Sequence, residues 1–269
     1  MEQVTTVCGG LQEPPTDPSP SPVLQVDHQE PHAHLYSKEP RVGYSPSALE
    51  PAPRRSGGDY FILRSGVLEQ AIKDVTGILS PAVDGDVQSA WILTEINHWN
   101  QDQERLVLLT QNSLLLCQYD FVGLCSSQLF RVPLNFIDTI IWGPFTYPST
   151  SLNKREGQAV RIQWDKLREP SFISRWNPWA SDLPYVTLTE HPAADREKTV
   201  MHMCQLEKFK AKLTEQVQAA HATDPLPGRA NGPLVLEKPI PVETYMGLLS
   251  FISSKAELGY AKSRGLFGF

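Results

Sequence analysis

Hydrophobic positions recur along this chain with two different periods, and the change of period marks its elements. Tyr60-Phe61-Ile62-Leu63 is a short extended stretch. Leu68, Ile72, Val75 and Leu79 then recur at helical spacing, which predicts an amphipathic helix of about three turns. Pro81 and Asp84-Gly85-Asp86 end that helix in a turn. Strand patterns follow over 89–96, 105–110 and 113–119, the last two joined through Gln111-Asn112 as a two-residue hairpin. Further strands are predicted over 128–132, 138–142, 159–164 (the cleanest alternation) and 185–189. A long helix runs from Lys198 to about Ala220, with Met203, Leu206, Phe209, Leu213 and Val217 on one face.

Seven short strands closed by one helix is the order of a pleckstrin-homology-like barrel, an α+β architecture. In that arrangement the apolar stripe of the helix stoppers one open end of the barrel. Residues 1–58 are predicted to be disordered, because EPPTDPSPSP and GYSPSALEPAPRRSGG supply breakers and too few large apolar side chains to offset ordering entropy. The folded domain is assigned to 59–222 and a linker, which contains DPLPGRANGP from Asp224 to Pro233, to 223–233. Residues 234–269 form a strand, Leu234-Val235-Leu236, and a short amphipathic helix carrying Val242, Tyr245, Met246, Leu249 and Ile252. The aromatic, glycine-rich end is expected to pack on the domain, a partner or a membrane.

Charge narrows the function classes. A net charge of −6 and a pI of about 5.7 argue against a nucleic-acid binder that relies on a basic surface. No apolar run reaches the roughly 18–20 residues that span a bilayer, and neither a signal peptide nor a lipidation signal is expected at the ends. The four cysteines, at 8, 117, 125 and 204, form no CxxC pair, and reduced thiols in the cytosol are the expectation. His28, His32 and His34 lie in the tail without a scaffold to preorganise them, so no metal and no cofactor is expected.

Candidate chemistry is sparse. Cys125 and Arg131 match a Cys-x-x-x-x-x-Arg phosphatase string by count. That chemistry needs a glycine-rich loop opening into a helix, and here bulky Gln128, Leu129 and Phe130 lead into Val132-Pro133. No catalytic residue is assigned, and the chain is expected not to be an enzyme. Lys154, Arg155, Arg161 and Lys166 surround one loop and strand and are the candidate anionic-lipid site; two readings stand, a phosphoinositide headgroup pocket and ordinary solvated charge. Trp176 and Trp179 sit in the densest aromatic string, as partner or membrane anchors or as buried pins. With Tyr245, Phe251 and Phe267 they make up the candidate contact residues. Lys208, Lys210 and Lys212 faintly suggest a calmodulin target, but the apolar face between them is needed for the core.

Several of these strings together resemble one family. Trp91-Ile92-Leu93-Thr94-Glu95-Ile96-Asn97-His98-Trp99-Asn100 followed by Glu104-Arg105-Leu106-Val107 is similar to the family of Mover, a vertebrate presynaptic protein, and its tumour-protein-regulated paralogue. So are Ser151 to Gly157, Arg161-Ile162-Gln163-Trp164-Asp165, Arg175-Trp176-Asn177-Pro178-Trp179, Thr189-Glu190-His191-Pro192, and the end from Glu243 to Phe269. The likeness runs from about Tyr60 to Phe269, and Asn153 to Gly157 with Gln163 to Lys166 looks more like Mover than its paralogue. The resemblance implies a non-catalytic homology domain of the type found beside the catalytic domain of a Sac-family inositol phosphatase. It implies a cytoplasmic protein held peripherally on synaptic vesicles at presynaptic terminals, tuning release probability. The implied partners are the active-zone scaffold Bassoon, calmodulin and further copies of itself. A phosphoinositide membrane surface is a further candidate partner, and nucleic acid is not.

Overall fold

The structure, a computed structural model, describes residues 3–4, 60–149, 151, 154–164, 171, 183–195 and 198–242. Of the expected disordered tail only Gln3 and Val4 are described, as a two-residue strand; Lys166, the aromatic string with Trp176 and Trp179, and the predicted C-terminal helix and aromatic end with Tyr245, Phe251 and Phe267 lie outside the described residues.

The strands are β1 (Gln3–Val4), β2 (Val87–Ile96), β3 (Asp102–Thr110), β4 (Ser113–Asp120), β5 (Cys125–Pro133), β6 (Thr139–Thr146), β7 (Gln158–Gln163), β8 (Tyr185–Glu190), β9 (Leu234–Glu237) and β10 (Ile240–Pro241). The helices are α1 (Val67–Ile78), α2 (Pro81–Asp84), α3 (Lys198–Cys204) and α4 (Leu206–Thr223). One mixed sheet runs β1-β5-β4-β3-β2-β8-β7-β6-β10, with β9 also on β6. Its pairs are antiparallel except β9 and β10, which lie parallel to β6.

The closed seven-stranded barrel expected from the sequence is therefore corrected to an open sheet. The two strands that would meet to close it, β5 and β6, have both edges otherwise engaged: β5 with β4 and β1, β6 with β7 and with β9 and β10. The linker-side segment after Gly232 supplies the cover on β6. Gly143 permits that approach, since a Cβ there would stand 2.1 Å from the Lys238 carbonyl oxygen.

Burial explains the continuous apolar runs of β2 to β4. One face carries Trp91, Leu93, Val107, Leu109, Leu114 and Leu116, packed against Leu206, Phe209, Leu213 and Val217 of α4. Trp91 meets the Phe209 ring edge to face at 5.8 Å between centroids. The opposite face carries Ile92, Leu106, Leu108, Leu115 and Cys117, packed against Leu68, Ala71 and Val75 of α1 and against Val200 and Cys204 of α3. A sheet covered on both faces is apolar at successive positions, whereas a barrel strand with a wet exterior alternates.

The predicted 198–220 helix is two helices. Gln205 adopts extended backbone (φ −71°, ψ 99°) between them. The break lets Met203 and Cys204 pack on the α1 side of the sheet while Leu206 starts the stripe on the other side. Met203 thus leaves the face on which its periodicity placed it.

Candidate functional site

The phosphatase-like string occupies a single strand. Cys125 opens β5 and Arg131 is its seventh residue, so the six intervening steps separate them by about 20 Å at roughly 3.3 Å per residue. A thiolate and a guanidinium that far apart cannot share one phosphate. Arg131 is also committed elsewhere: its Nε donates to Asp84 Oδ1 at 2.6 Å and its Nη2 to Asp84 Oδ2 at 2.9 Å. Asp84, fully buried at the end of α2, accepts in addition from the Ser80 backbone N–H at 3.0 Å. The sequence places Asp84 in a turn; the signal for its burial was Arg131 itself, opposite Leu115 in an apolar ladder and therefore in need of an anion.

The expectation of reduced cysteines also needs correction. Cys125 is disulfide-bonded, while Cys117 and Cys204 are free and buried. Burial pushes both free thiols up, Cys204 to about 12 with the nearby Glu190 and Glu104 adding to it. Neither is a thiolate nucleophile at neutral pH.

Of the basic-loop residues, Lys154 is exposed. Arg155 is not directed at solvent: its Nε donates to Asn100 Oδ1 at 2.7 Å, its Nη2 to the Asn100 carbonyl at 2.8 Å, and it pairs with Asp102. Asn100 is buried with a left-handed φ of 61°, a conformation that asparagine tolerates better than most residues. Tyr147 donates to the same Oδ1 at 3.2 Å. Burial raises the Asp102 carboxyl and the Arg155 charge pulls it back. Arg155 thus locks the β2–β3 turn to the loop before β7. Arg161 lies on β7, where Nε donates to Thr187 Oγ1 and Nη2 to the Pro241 carbonyl, both at 2.8 Å, with its guanidinium 4.7 Å from the Tyr185 ring centroid. It clamps β8 and β10 about its own strand. Arg155 and Arg161 thus each donate to internal acceptors, while Lys154 is exposed.

A cleft of about 670 Å³ opens elsewhere, between the ends of β7 and β8 and the start of α4. Glu156, Glu190 and Glu207 outnumber Lys208 on its walls, so its field opposes phosphate. His191 at its floor is buried, its Nε2 2.9 Å from Glu104 Oε1 and its Nδ1 accepting from the Ala193 N–H at 3.0 Å. That acceptor role fixes the neutral ring with the proton on Nε2, donated to Glu104. Burial raises the Glu104 carboxyl and the His191 hydrogen bond opposes the rise. Glu104 lies 87 residues from His191 and is not marked as its partner by the sequence.

On α4, Lys210 stacks 5.1 Å over the Trp142 ring and Lys212 pairs with Glu215 at 3.0 Å. Leu206, Phe209, Leu213 and Val217 are spent on the core, as the sequence expectation of a core helix required. Among the described residues no group of three or more His, Cys, Asp or Glu side chains is arranged to hold a metal, and no helix is long and apolar enough to cross a membrane.

Residues 59–165 match the family described as hSac2: Inositol phosphatase. The human tumor protein p63-regulated gene 1 protein is 39% identical over 261 residues, spanning 96% of this chain and 94% of that protein. The chain belongs to the Mover family. The Mover-family likeness extends past the hSac2 match through β8, α3, α4, β9 and β10. A solved structure, the hSac2 domain from human phosphoinositide phosphatase Sac2, is similar over 66% of this chain and 91% of that chain, at 16% identity and a TM-score of 0.41.

Proposed function

We propose that this Mover-family chain is a non-catalytic adaptor, held peripherally on synaptic vesicles at presynaptic terminals and tuning release probability through protein partners. The observation that carries this reading is the separation of Cys125 and Arg131 along one strand, with Arg131 engaged by buried Asp84. The string that alone matched inositol-phosphate chemistry is spent on the fold. The partners in this reading are the active-zone scaffold Bassoon, calmodulin and further copies of the chain. The order of β2 to β8 in the sheet, two antiparallel meanders joined through β2 and β8 with α4 across one face, is pleckstrin-like and supports a binding module over a catalytic one.

Attachment runs through a vesicle protein rather than through lipid headgroups, because Arg155 and Arg161 already donate to internal acceptors. Flotation of the full chain tests this. The chain should stay unbound with neutral, anionic and phosphoinositide liposomes at physiological salt, and bind synaptic vesicles in a manner abolished by trypsin treatment of the vesicles. Headgroup-selective flotation that is lost in Lys154→Gln would overturn it and make the chain a phosphoinositide sensor.

A further inference from the structure

We propose that β9 pairs edge to edge with β9 of a second copy of this chain, antiparallel about a twofold axis at Leu236. This names a surface for the self-association in the reading above and rests on that part of it. β9 and β10 run parallel to β6 in one unbroken register, with Leu234 opposite Thr139 and Pro241 opposite Thr146. The N–H groups of Leu234, Lys238 and Val242 donate to the carbonyls of Asp138, Trp142 and Thr146 at 2.9, 2.9 and 2.8 Å. Even-numbered residues therefore turn their backbone groups toward β6, and odd-numbered ones turn theirs outward. No described strand lies on that outer side.

Proline limits what the outer side offers. Pro239 and Pro241 take the outward positions after β9 and Pro233 the one before it, and none has an N–H to donate. The Pro241 carbonyl already accepts from Arg161 Nη2 at 2.8 Å. What remains is a window of two residues, Val235 and Glu237, each with one donor and one acceptor directed away from the sheet. Side chains around the window are wet: Leu234 is 51% exposed, Val235 39% and the Glu237 side chain 79%. Leu234 and Val235 project to opposite faces, so an added strand covers apolar surface on both.

The window is complementary to itself, as an isologous contact requires. In an antiparallel pair centred on Leu236, Val235 faces Glu237 of the second copy and Glu237 faces its Val235. Each of those pairs exchanges two N–H···O bonds, so every donor and acceptor of both windows is used. Leu236 meets its counterpart at the axis as a non-hydrogen-bonded pair, extending the apolar cluster of Ile96, Ile141 and Phe145 on which it packs. Leu234 lies opposite Lys238, whose methylene stem covers it. Centring on Val235 instead sets Glu237 against Pro233, and centring on Glu237 sets Val235 against Pro239; either leaves a window carbonyl without a donor. A contact of one short strand falls below the roughly 1,200 Å² of standard interfaces, so pairing depends on local concentration and is favoured where copies gather on one surface.

Sedimentation equilibrium of the full chain in dithiothreitol, over a wide concentration series, reads the pairing. The weight-average mass should climb from 30.1 kDa toward twice that value. Val235→Pro removes an outward donor and none of the bonds to β6, so it should hold the mass at the monomer value while circular dichroism stays native. Cross-linking reads the register separately. Oxidised with glutathione disulfide and mapped by mass spectrometry, Leu236→Cys should bond to its own counterpart, because the Cα atoms of a non-hydrogen-bonded pair stand about 4.5 Å apart, inside the roughly 4.4–6.8 Å that a disulfide accepts. Leu234→Cys should not, since its two copies are offset by about 13 Å along the strands. A wild-type chain that stays monomeric throughout would overturn the pairing together with the self-association beneath it, and leave the window to an extended segment of another protein. A dimer that persists in Val235→Pro, or that cross-links through residue 234 as readily as through 236, would overturn the β9 assignment alone.

Discussion

Replacing Arg131 with methionine separates a structural guanidinium from a phosphate-binding one. Asp84 is 0% exposed and Arg131 13%. The Asp84 carboxylate accepts three hydrogen bonds, two of them from Arg131 and one from the Ser80 N–H. In Arg131→Met the carboxylate keeps only the Ser80 donor and stays fully buried, where water cannot replace the lost partners. Removing one member of a buried ion pair costs about 3–5 kcal/mol, which for a body of this size lowers Tm by roughly 6–20 °C. Replacing both, with Asp84→Leu added, removes the stranded charge, so the double variant should recover much of the loss, and the cycle should give a coupling of about 2 kcal/mol or more. Urea unfolding followed by tryptophan fluorescence reads this, because Trp91 and Trp164 lie in the core against α4. A loss under about 1 kcal/mol in Arg131→Met, the range of an exposed pair, would refute the reasoning and return Arg131 to the list of groups held for a ligand.

Three further outcomes follow from the same structure. Arg155→Leu frees Asn100 and Asp102, so amide exchange across Asn97 to Asp102 should rise and Tm fall, whereas exposed Lys154→Gln should change stability by no more than about 0.5 kcal/mol; unchanged exchange in Arg155→Leu would mean that the turn does not depend on it. Stability should fall on the alkaline side: Cys204 is raised from 9.0 to about 12 and Tyr147 from 10.0 to about 12, so the native state keeps protons that the unfolded chain releases. The contribution is complete below about pH 9 and lost as pH rises through about 12, and an unaltered slope in Cys204→Ala would contradict the thiol's share. In Gly143→Ala the new Cβ meets a backbone carbonyl that has no side-chain freedom to yield, so β9 and β10 should loosen from β6 and their amides exchange faster; native-like protection of residues 234–241 would contradict that close approach.

Local pattern made most of the elements legible. The β3–β4 hairpin turns at Gln111-Asn112, as its two-residue spacing required, and the stripe from Leu206 to Val217 is buried as its period implied. Tertiary partners were not legible. The apolar positions Leu106 to Leu109 and Leu114 to Cys117 mark a doubly covered sheet, yet strand order alone suggested a barrel with one wet face. Periodicity ran through Gln205 because a helix repeat carries no information about which face of the sheet the next turn meets. The basic residues were visible, but Arg155 and Arg161 find their acceptors on Asn100 and Pro241, 55 and 80 residues away. An arginine read in sequence shows its charge and not its partner, and here the partners are internal. Asp84 and Glu104 were passed over for the same reason: each becomes remarkable only once Arg131 and His191 are seen beside it.

Whether this Mover-family chain carries inositol-phosphatase chemistry is read most directly from phosphate release. Purified full chain is incubated with short-chain phosphoinositides in reducing buffer, and free phosphate is measured against a buffer control and against Cys125→Ser. Both proteins should release phosphate at the buffer rate, since about 20 Å of β5 separates the thiol from the guanidinium. Turnover by the wild-type chain that disappears in Cys125→Ser would contradict it.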